Sequence, residues 1–268
     1  MVNVFHPPAR CLMGPGPSDV PPSVLKAIGG ATIGHLDPEF LKLMDDIRDM
    51  LKQVFQTKNE MTFPISAPGS AGMEACFVNL VEPGDDVLVC INGVFGGRMK
   101  SNVERIGGKC HTLEFAWGEP VDADKVDDYL KSNPGIKVVG FVHAETSTGA
   151  LTDAKAVAAV AQAHGALTIV DTVTSLAGVP VCVDDWGLDA VYSGSQKCLS
   201  CPPGLSPLTF SDRALAKLDQ RKTPVQSWFL DLTLQKTYWG TGKRAYHHTA
   251  PVNSLYGLHE SLRLVLEE

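Results

Sequence analysis

The sequence predicts an α/β protein built on one mostly parallel sheet with helices on both faces. Three observations carry that expectation. Short apolar runs at residues 62–65, 87–92, 137–143, 167–171, 190–193 and 205–210 alternate with stretches of helical spacing at 69–81, 94–106, 121–131 and 154–164. Several of the runs are apolar at nearly every position, which suits strands covered on both faces. The chain has 268 residues, 44% hydrophobic and 20% charged, enough to bury a sizeable core in one large domain.

Taken in order, residues 1–20 form an N-terminal arm in which Gly14-Pro15-Gly16-Pro17 is stiff and irregular. Its Gly-x-Gly is no dinucleotide fingerprint, because no strand precedes it. A long amphipathic helix follows, with Asp37 as N-cap, Pro38 at its first position and Phe40, Met44, Ile47, Leu51 and Val54 along one face. Packing in the core accounts for that stripe. The alternating strands and helices complete a large domain over 21–250, and ligands of such sheets gather at the strands' carboxyl ends. Residues 254–266 read as a helix that stops at Glu267-Glu268 without a glycine cap, its two carboxylates opposing the helix dipole. The expectation is that 251–268 begins a helix leading to a C-terminal domain outside this sequence.

Composition narrows the partners. A formal charge of -7 without a basic stripe argues against nucleic acid, and no apolar run is long enough to span a membrane. Seven cysteines scattered through apolar runs, with no secretory segment at the start, point to a reducing cytoplasm. The start holds Pro7-Pro8 and one arginine before Met13, unlike a mitochondrial leader, and a peroxisomal address stays open. Cys198 and Cys201 form a lone Cys-x-x-Cys that lacks a second pair for zinc and runs into Pro202-Pro203.

Two residues point to the chemistry. Asp171 ends the apolar run Ala166-Leu167-Thr168-Ile169-Val170, and Lys197 closes Ala190-Val191-Tyr192-Ser193-Gly194-Ser195-Gln196. A partly desolvated lysine can lose its proton and attack a carbonyl, while a carboxylate can keep a pyridine nitrogen protonated, and pyridoxal phosphate needs both. In isolation Asp171 would be a turn cap and Lys197 a surface lysine. Ser66-Ala67-Pro68-Gly69-Ser70-Ala71-Gly72 adds small residues at a strand-to-helix transition, where free N–H groups and the helix dipole favour an anion. It lacks the Gly-Lys-Ser/Thr of a nucleoside-triphosphate loop.

These segments, with Met13-Gly14-Pro15-Gly16-Pro17, Gly34-His35-Leu36-Asp37-Pro38, His143-Ala144-Glu145-Thr146-Ser147-Thr148-Gly149, Pro202-Pro203-Gly204 and Tyr246-His247-His248-Thr249, occur together and in order. In this the chain resembles the class V, fold-type I pyridoxal-phosphate aminotransferases, in the alanine–glyoxylate, serine–pyruvate and serine–glyoxylate branch. The resemblance implies the large domain of that fold. It makes Lys197 the lysine that joins the cofactor as a Schiff base and Asp171 the partner of the pyridine nitrogen. Gly69, Ser70, Ala71 and Gln196 would hold the phosphate, and Thr146 would bond the ring oxygen. Phe95 stands where relatives commonly stack a tryptophan on the ring, and Ser70 where some carry histidine, which leaves the branch undecided. Tyr246 and Thr249 would reach the neighbouring subunit's phosphate, implying a homodimer with shared sites, and Gly34 and His35 a segment at that interface.

The implied function is ping-pong transamination between alanine or serine and glyoxylate or pyruvate, with the preferred pair undetermined. Two alternatives stand beside it: a cofactor-binding fragment without turnover, since the family's substrate-carboxylate arginine would lie beyond this sequence, and a class V lyase or desulfurase, against which Gln196 argues. Arg244 is not assigned that arginine's role. No metal site is expected; His247 and His248 would point to opposite faces of a strand and so could not share an ion. His35, His143 and His164 read as structural or interface residues, and Trp228, Phe229, Tyr238 and Trp239 as packing or dimer surface.

Overall fold

Strands whose two faces are both covered can hold apolar side chains at every position, and the runs read from the sequence do so. The computed structural model describes residues 2–240, 242 and 244–268. In chain order its elements are α1 (Pro22–Ile28), α2 (Pro38–Val54), β1 (Met61–Ile65), α3 (Gly69–Leu80), β2 (Asp86–Ile91), α4 (Val94–Ile106), β3 (Lys109–Glu114), α5 (Ala123–Ser132), β4 (Val138–Val142), α6 (Ala154–Ala163), β5 (Leu167–Asp171), α7 (Val183–Trp186), β6 (Ala190–Tyr192), β7 (Ser206–Phe210), α8 (Asp212–Asp219), α9 (Leu232–Trp239) and α10 (Val252–Glu267). Every residue of β1, β4, β5, β6 and β7 is buried.

The seven strands form one sheet in the order β1-β7-β6-β5-β4-β2-β3. All neighbours run parallel except β7, which is antiparallel to both β1 and β6. This exception sets the site. Because β6 ends where β7 begins, the loop between them never leaves the carboxyl edge of the sheet, and Lys197 lies in it. Backbone bonds from the Ser193 N–H to Pro207 O (2.8 Å) and from the Ser195 N–H to Leu205 O (3.0 Å) hold the base of that loop. The turns after β1, β2 and β5 open at the same edge, as does the one after β4.

The long helix is α2. Asp37 caps it by accepting from the Glu39 N–H at 2.8 Å, and Phe40, Met44, Ile47 and Leu51 are fully buried. Val54 is only partly buried, because the helix ends there. Ile47→Ala should cost about 2–5 kcal/mol, the usual range for opening a cavity in a closed core; the urea midpoint, read against wild type, checks it. The C-terminal helix is α10, which packs on α1 and α2 through Leu255, Leu258 and Leu262.

Two groups of elements were not foreseen. Strand β3, Lys-Cys-His-Thr-Leu-Glu, is a partly exposed edge strand held by its pairing with β2, so it lacks the apolar run that marks the others. Helices α1, α7, α8 and α9 have 7, 4, 8 and 8 residues, too short for helical periodicity to stand out. No helix among the described residues is long and apolar enough to cross a membrane.

Candidate active site

Four turns meet at the carboxyl edge, and a cleft of about 150 Å³ lies among them. Gly69, Ser70, Phe95, Asp171, Gln196 and Lys197 line it. Beyond Lys197 opens a larger cavity of about 470 Å³, walled by Thr146 and by Gly14, Pro15 and Gly16 of the N-terminal arm. Lys197 borders both spaces.

Each side chain is there for a local reason. Asp171 is the last residue of β5, 2% exposed. Its Oδ1 accepts from the Val173 N–H at 2.8 Å and its Oδ2 from the Tyr192 hydroxyl at 2.7 Å. Burial nevertheless pushes its acid up to about 6, the two hydrogen bonds working against that shift. Burial also lowers the Lys197 amine, opposed by the charge of Asp171, which is the direction a nucleophilic lysine needs. The Lys197 Nζ donates to Pro15 O at 2.6 Å, so the arm gives the free amine a resting place.

The start of α3 is fitted to an anion. Pro68 supplies no side-chain cap, leaving the first-turn N–H groups to whatever sits in the cleft. A Cβ on Gly69 would lie 3.3 Å from Val173 Cγ2 and 3.4 Å from Ser193 O, so any larger residue there would have to push Val173 aside by a few tenths of an ångström. Gln196 has a buried amide oxygen without a partner among the described residues. A half-turn of that amide would offer N–H donors to an anion instead. Ala71 differs from the expectation: its N–H is already bound to Pro68 O at 2.7 Å, and it lines neither space.

Phe95 sits in the first turn of α4, its N–H donating to Glu145 Oε2 at 3.2 Å. The Arg98 guanidinium lies 4.5 Å from the centre of the Phe95 ring. Thr146 faces the larger cavity, its hydroxyl 3.4 Å from Thr174 Oγ1. Tyr246 and Thr249 lie outside both spaces, exposed, with their hydroxyls 3.4 Å apart. Within one chain the structure therefore does not bring them to the cleft. Gly34 lies on an exposed or partly exposed turn ahead of α2, and the His35 ring centre is 5.3 Å from that of Tyr246.

Tyr192, Val173, Arg98 and Glu145 were missed by sequence reasoning. Tyr192 left a signal, a hydroxyl in an otherwise apolar strand beside the lysine loop. Arg98 left another, one helical turn after Phe95. Val173 acts through its backbone and gave none.

The remaining candidates sort by contact. His247 and His248 are not in a strand, so the opposite-faces argument does not apply: in this irregular segment their Nδ1 atoms are 2.8 Å apart and His248 Nε2 is 2.7 Å from Ser66 Oγ. No group of three metal-ligating side chains occurs among the described residues. His143 is buried against Ser175 Oγ at 2.9 Å and pushed down to about 4 by burial, hence neutral; His164 meets Asp127 at 2.6 Å. Tyr238 and Trp239 are buried, the latter stacked 5.7 Å from Phe63, whereas Trp228 is exposed and stacks on His247 at 4.5 Å. Arg244 is tied to α2 through Leu41 O and Asp45 and stays away from the cleft. Burial raises the thiols of Cys198 and Cys201, the second to about 12, so neither is primed as a thiolate.

The arm invites a test. Gly16 has φ +121, and a Cβ there would lie 2.5 Å from Lys197 Cδ. Gly16→Ala should therefore shift the arm or the lysine chain and slow the amine's reaction with pyridoxal phosphate several-fold, followed by stopped-flow absorbance, while the thermal midpoint stays put.

The family model for class V aminotransferases matches residues 11–268. The chain belongs to that family. Its sheet is the fold-type I architecture, and pyridoxal 5′-phosphate is the family's cofactor. The alanine–glyoxylate aminotransferase of Rattus norvegicus is 41% identical over 97% of this chain, which spans 63% of that protein's length. The (S)-ureidoglycine–glyoxylate transaminase of Bacillus subtilis is 38% identical over 97% of the chain and 67% of its own length. A crystal structure of alanine–glyoxylate aminotransferase from Nostoc sp. superposes with a TM-score of 0.97 at 46% identity, covering all of this chain and 71% of that one.

Proposed function

We propose that this chain carries the cofactor-binding machinery of an aminotransferase that moves an amino group from a small amino acid, alanine or serine, to a 2-oxo acid. Glyoxylate is the favoured acceptor and pyruvate the other, since glyoxylate recurs in the names of similar enzymes. The observation that carries the reading is Lys197, whose amine borders both the cleft that holds Asp171 and the phosphate-loop turn and the larger cavity beside it.

The residues fit pyridoxal phosphate. Gly69 and Ser70, at the uncapped start of α3, with the Gln196 amide, would hold the phosphate. Asp171 would pair with the pyridine nitrogen, Phe95 would cover the ring and Thr146 would meet its ring oxygen. When bound, the cofactor supplies an aldehyde that takes up an amine and a ring that accepts the electron pair left as the substrate's α-carbon loses its proton. Lys197 Nζ, once free as an amine, would take that proton as a base and give it back as an acid. The arm residues 14–16 wall the cavity beside the amine, and a negative charge on Asp171 would balance that of the ring nitrogen.

The exposed Tyr246–Thr249 segment supports a homodimer in which each subunit completes the other's phosphate site. We also propose the cytoplasm as compartment, on the seven cysteines scattered through apolar runs, and a cofactor domain over 21–250 covered by the arm 1–20. The test is spectroscopic: pyridoxal phosphate should give an absorption band that L-alanine or L-serine bleaches and glyoxylate restores. A band that never responds to any amino acid would defeat the transaminase reading.

A further inference from the structure

Tyr192 is fully buried at the end of β6. In the parallel pairing of β5 with β6 it stands directly beside Asp171. A phenylalanine would pack as well in such a place, and a buried phenol costs free energy unless its hydroxyl finds a partner. Its partner is Asp171 Oδ2 at 2.7 Å. With the Val173 N–H on Oδ1 at 2.8 Å, both oxygens are tethered and the plane of the carboxylate is fixed relative to the sheet edge.

We propose that Tyr192 is a positioning residue for the reaction: its hydroxyl holds Asp171 ionised and oriented at the floor of the cleft, where it would meet the protonated pyridine nitrogen. This rests on the reading of Asp171 given above.

Four titratable groups act on that carboxylate from the elements around it. They are Cys76 of α3, Glu145 after β4, Tyr192 of β6 and Lys197 of the β6–β7 loop. Burial drives the Cys76 thiol and the Tyr192 phenol far up, so both stay neutral at ordinary pH and Tyr192 acts only as a donor toward Asp171. Glu145 pushes the Asp171 acid up and Lys197 pulls it down. The Tyr192 bond is the side-chain hydrogen bond that opposes burial, and it stabilises the charged form alone. Its removal should therefore move the acid toward higher pH, leaving more of Asp171 protonated near neutrality and unable to balance a pyridinium charge.

The experiment compares wild type, Tyr192→Phe and Asp171→Asn in binding of pyridoxal phosphate, read by quenching of protein fluorescence from pH 5 to 9. A ¹³C-carboxyl titration of Asp171 in the cofactor-free chain runs beside it, and circular dichroism checks that each variant folds. Tyr192→Phe should bind about tenfold more weakly near neutral pH, the effect of one hydrogen bond to a charged acceptor. The acid limb of its binding curve and the Asp171 midpoint should both rise by about one pH unit. Asp171→Asn should bind weakly throughout and lose the acid limb. If Asp171→Asn is impaired while Tyr192→Phe keeps the wild-type affinity and both midpoints, the role given to Tyr192 is overturned and that of Asp171 stands. If Asp171→Asn itself binds like wild type, the reading of Asp171 fails and the proposal falls with it. If Tyr192→Phe does not fold, substitution of 3-fluorotyrosine, a stronger donor of the same shape, should lower the Asp171 midpoint, and an unmoved midpoint would overturn the proposal.

Discussion

Replacing Lys197 by alanine is expected to abolish transamination while leaving the fold intact. Loss of a positioned general base alone removes roughly 10²–10⁴-fold in rate, and this residue also supplies the amine that would join the cofactor. The cost to the fold should be small. Lys197 is only partly buried, and its side-chain bond in the free chain is to Pro15 O of the arm, outside the closed core. Steady-state assay with alanine and glyoxylate, beside a thermal melt, separates the two effects. Full activity in the variant would remove the residue from the mechanism.

Asp171→Asn should have the second largest effect, slowing turnover roughly 10²–10³-fold, the usual loss when one preorganised charge facing the reacting group is removed. It should also change how stability depends on pH. The folded carboxyl is raised to about 6 from 3.8 by burial. An acid raised on folding contributes stability that is fully present below the unfolded value and is lost as pH rises through the folded one. In the cofactor-free chain, the part of stability due to Asp171 should thus decline between about pH 4 and pH 6. A shift of about two units corresponds to roughly 3 kcal/mol. The same window should be flat in Asp171→Asn, so urea unfolding of both proteins at pH 4 and pH 7 isolates the contribution of this one group. Bound cofactor should reverse the trend by giving the carboxylate a positive partner.

What could be read from the sequence was whatever leaves a local mark. The apolar runs of β1, β2, β4, β5, β6 and β7 and the capped stripe of α2 were visible because burial on both faces, or on one helical face, dictates residue type position by position. Strand β3 left no such mark, since an edge strand paired on one side can tolerate lysine, histidine and glutamate. The antiparallel run of β7 was also hidden. It arises from the way the loop over 193–205 turns back on itself, a tertiary fact, yet it is what keeps Lys197 at the carboxyl edge. Of the candidate residues, six meet in one cleft because four separate turns end at that edge. Ala71 falls outside because hydrogen bonding of the first helical turn cannot be resolved from a run of small residues. Tyr192 showed only a hydroxyl in an apolar strand, and Val173 showed nothing. Their contacts to Asp171 depend on register between β5 and β6 and on a backbone N–H, and neither leaves a trace in a single sequence.

Lys197 is proposed here as the residue that joins the cofactor. Borohydride reduction of the protein loaded with pyridoxal phosphate, followed by peptide mass mapping, tests it most directly. One stoichiometric reduced phosphopyridoxyl group is expected on the peptide containing Lys197, and none there after Lys197→Ala. A label on another lysine, or one scattered over the surface at low occupancy, would contradict it.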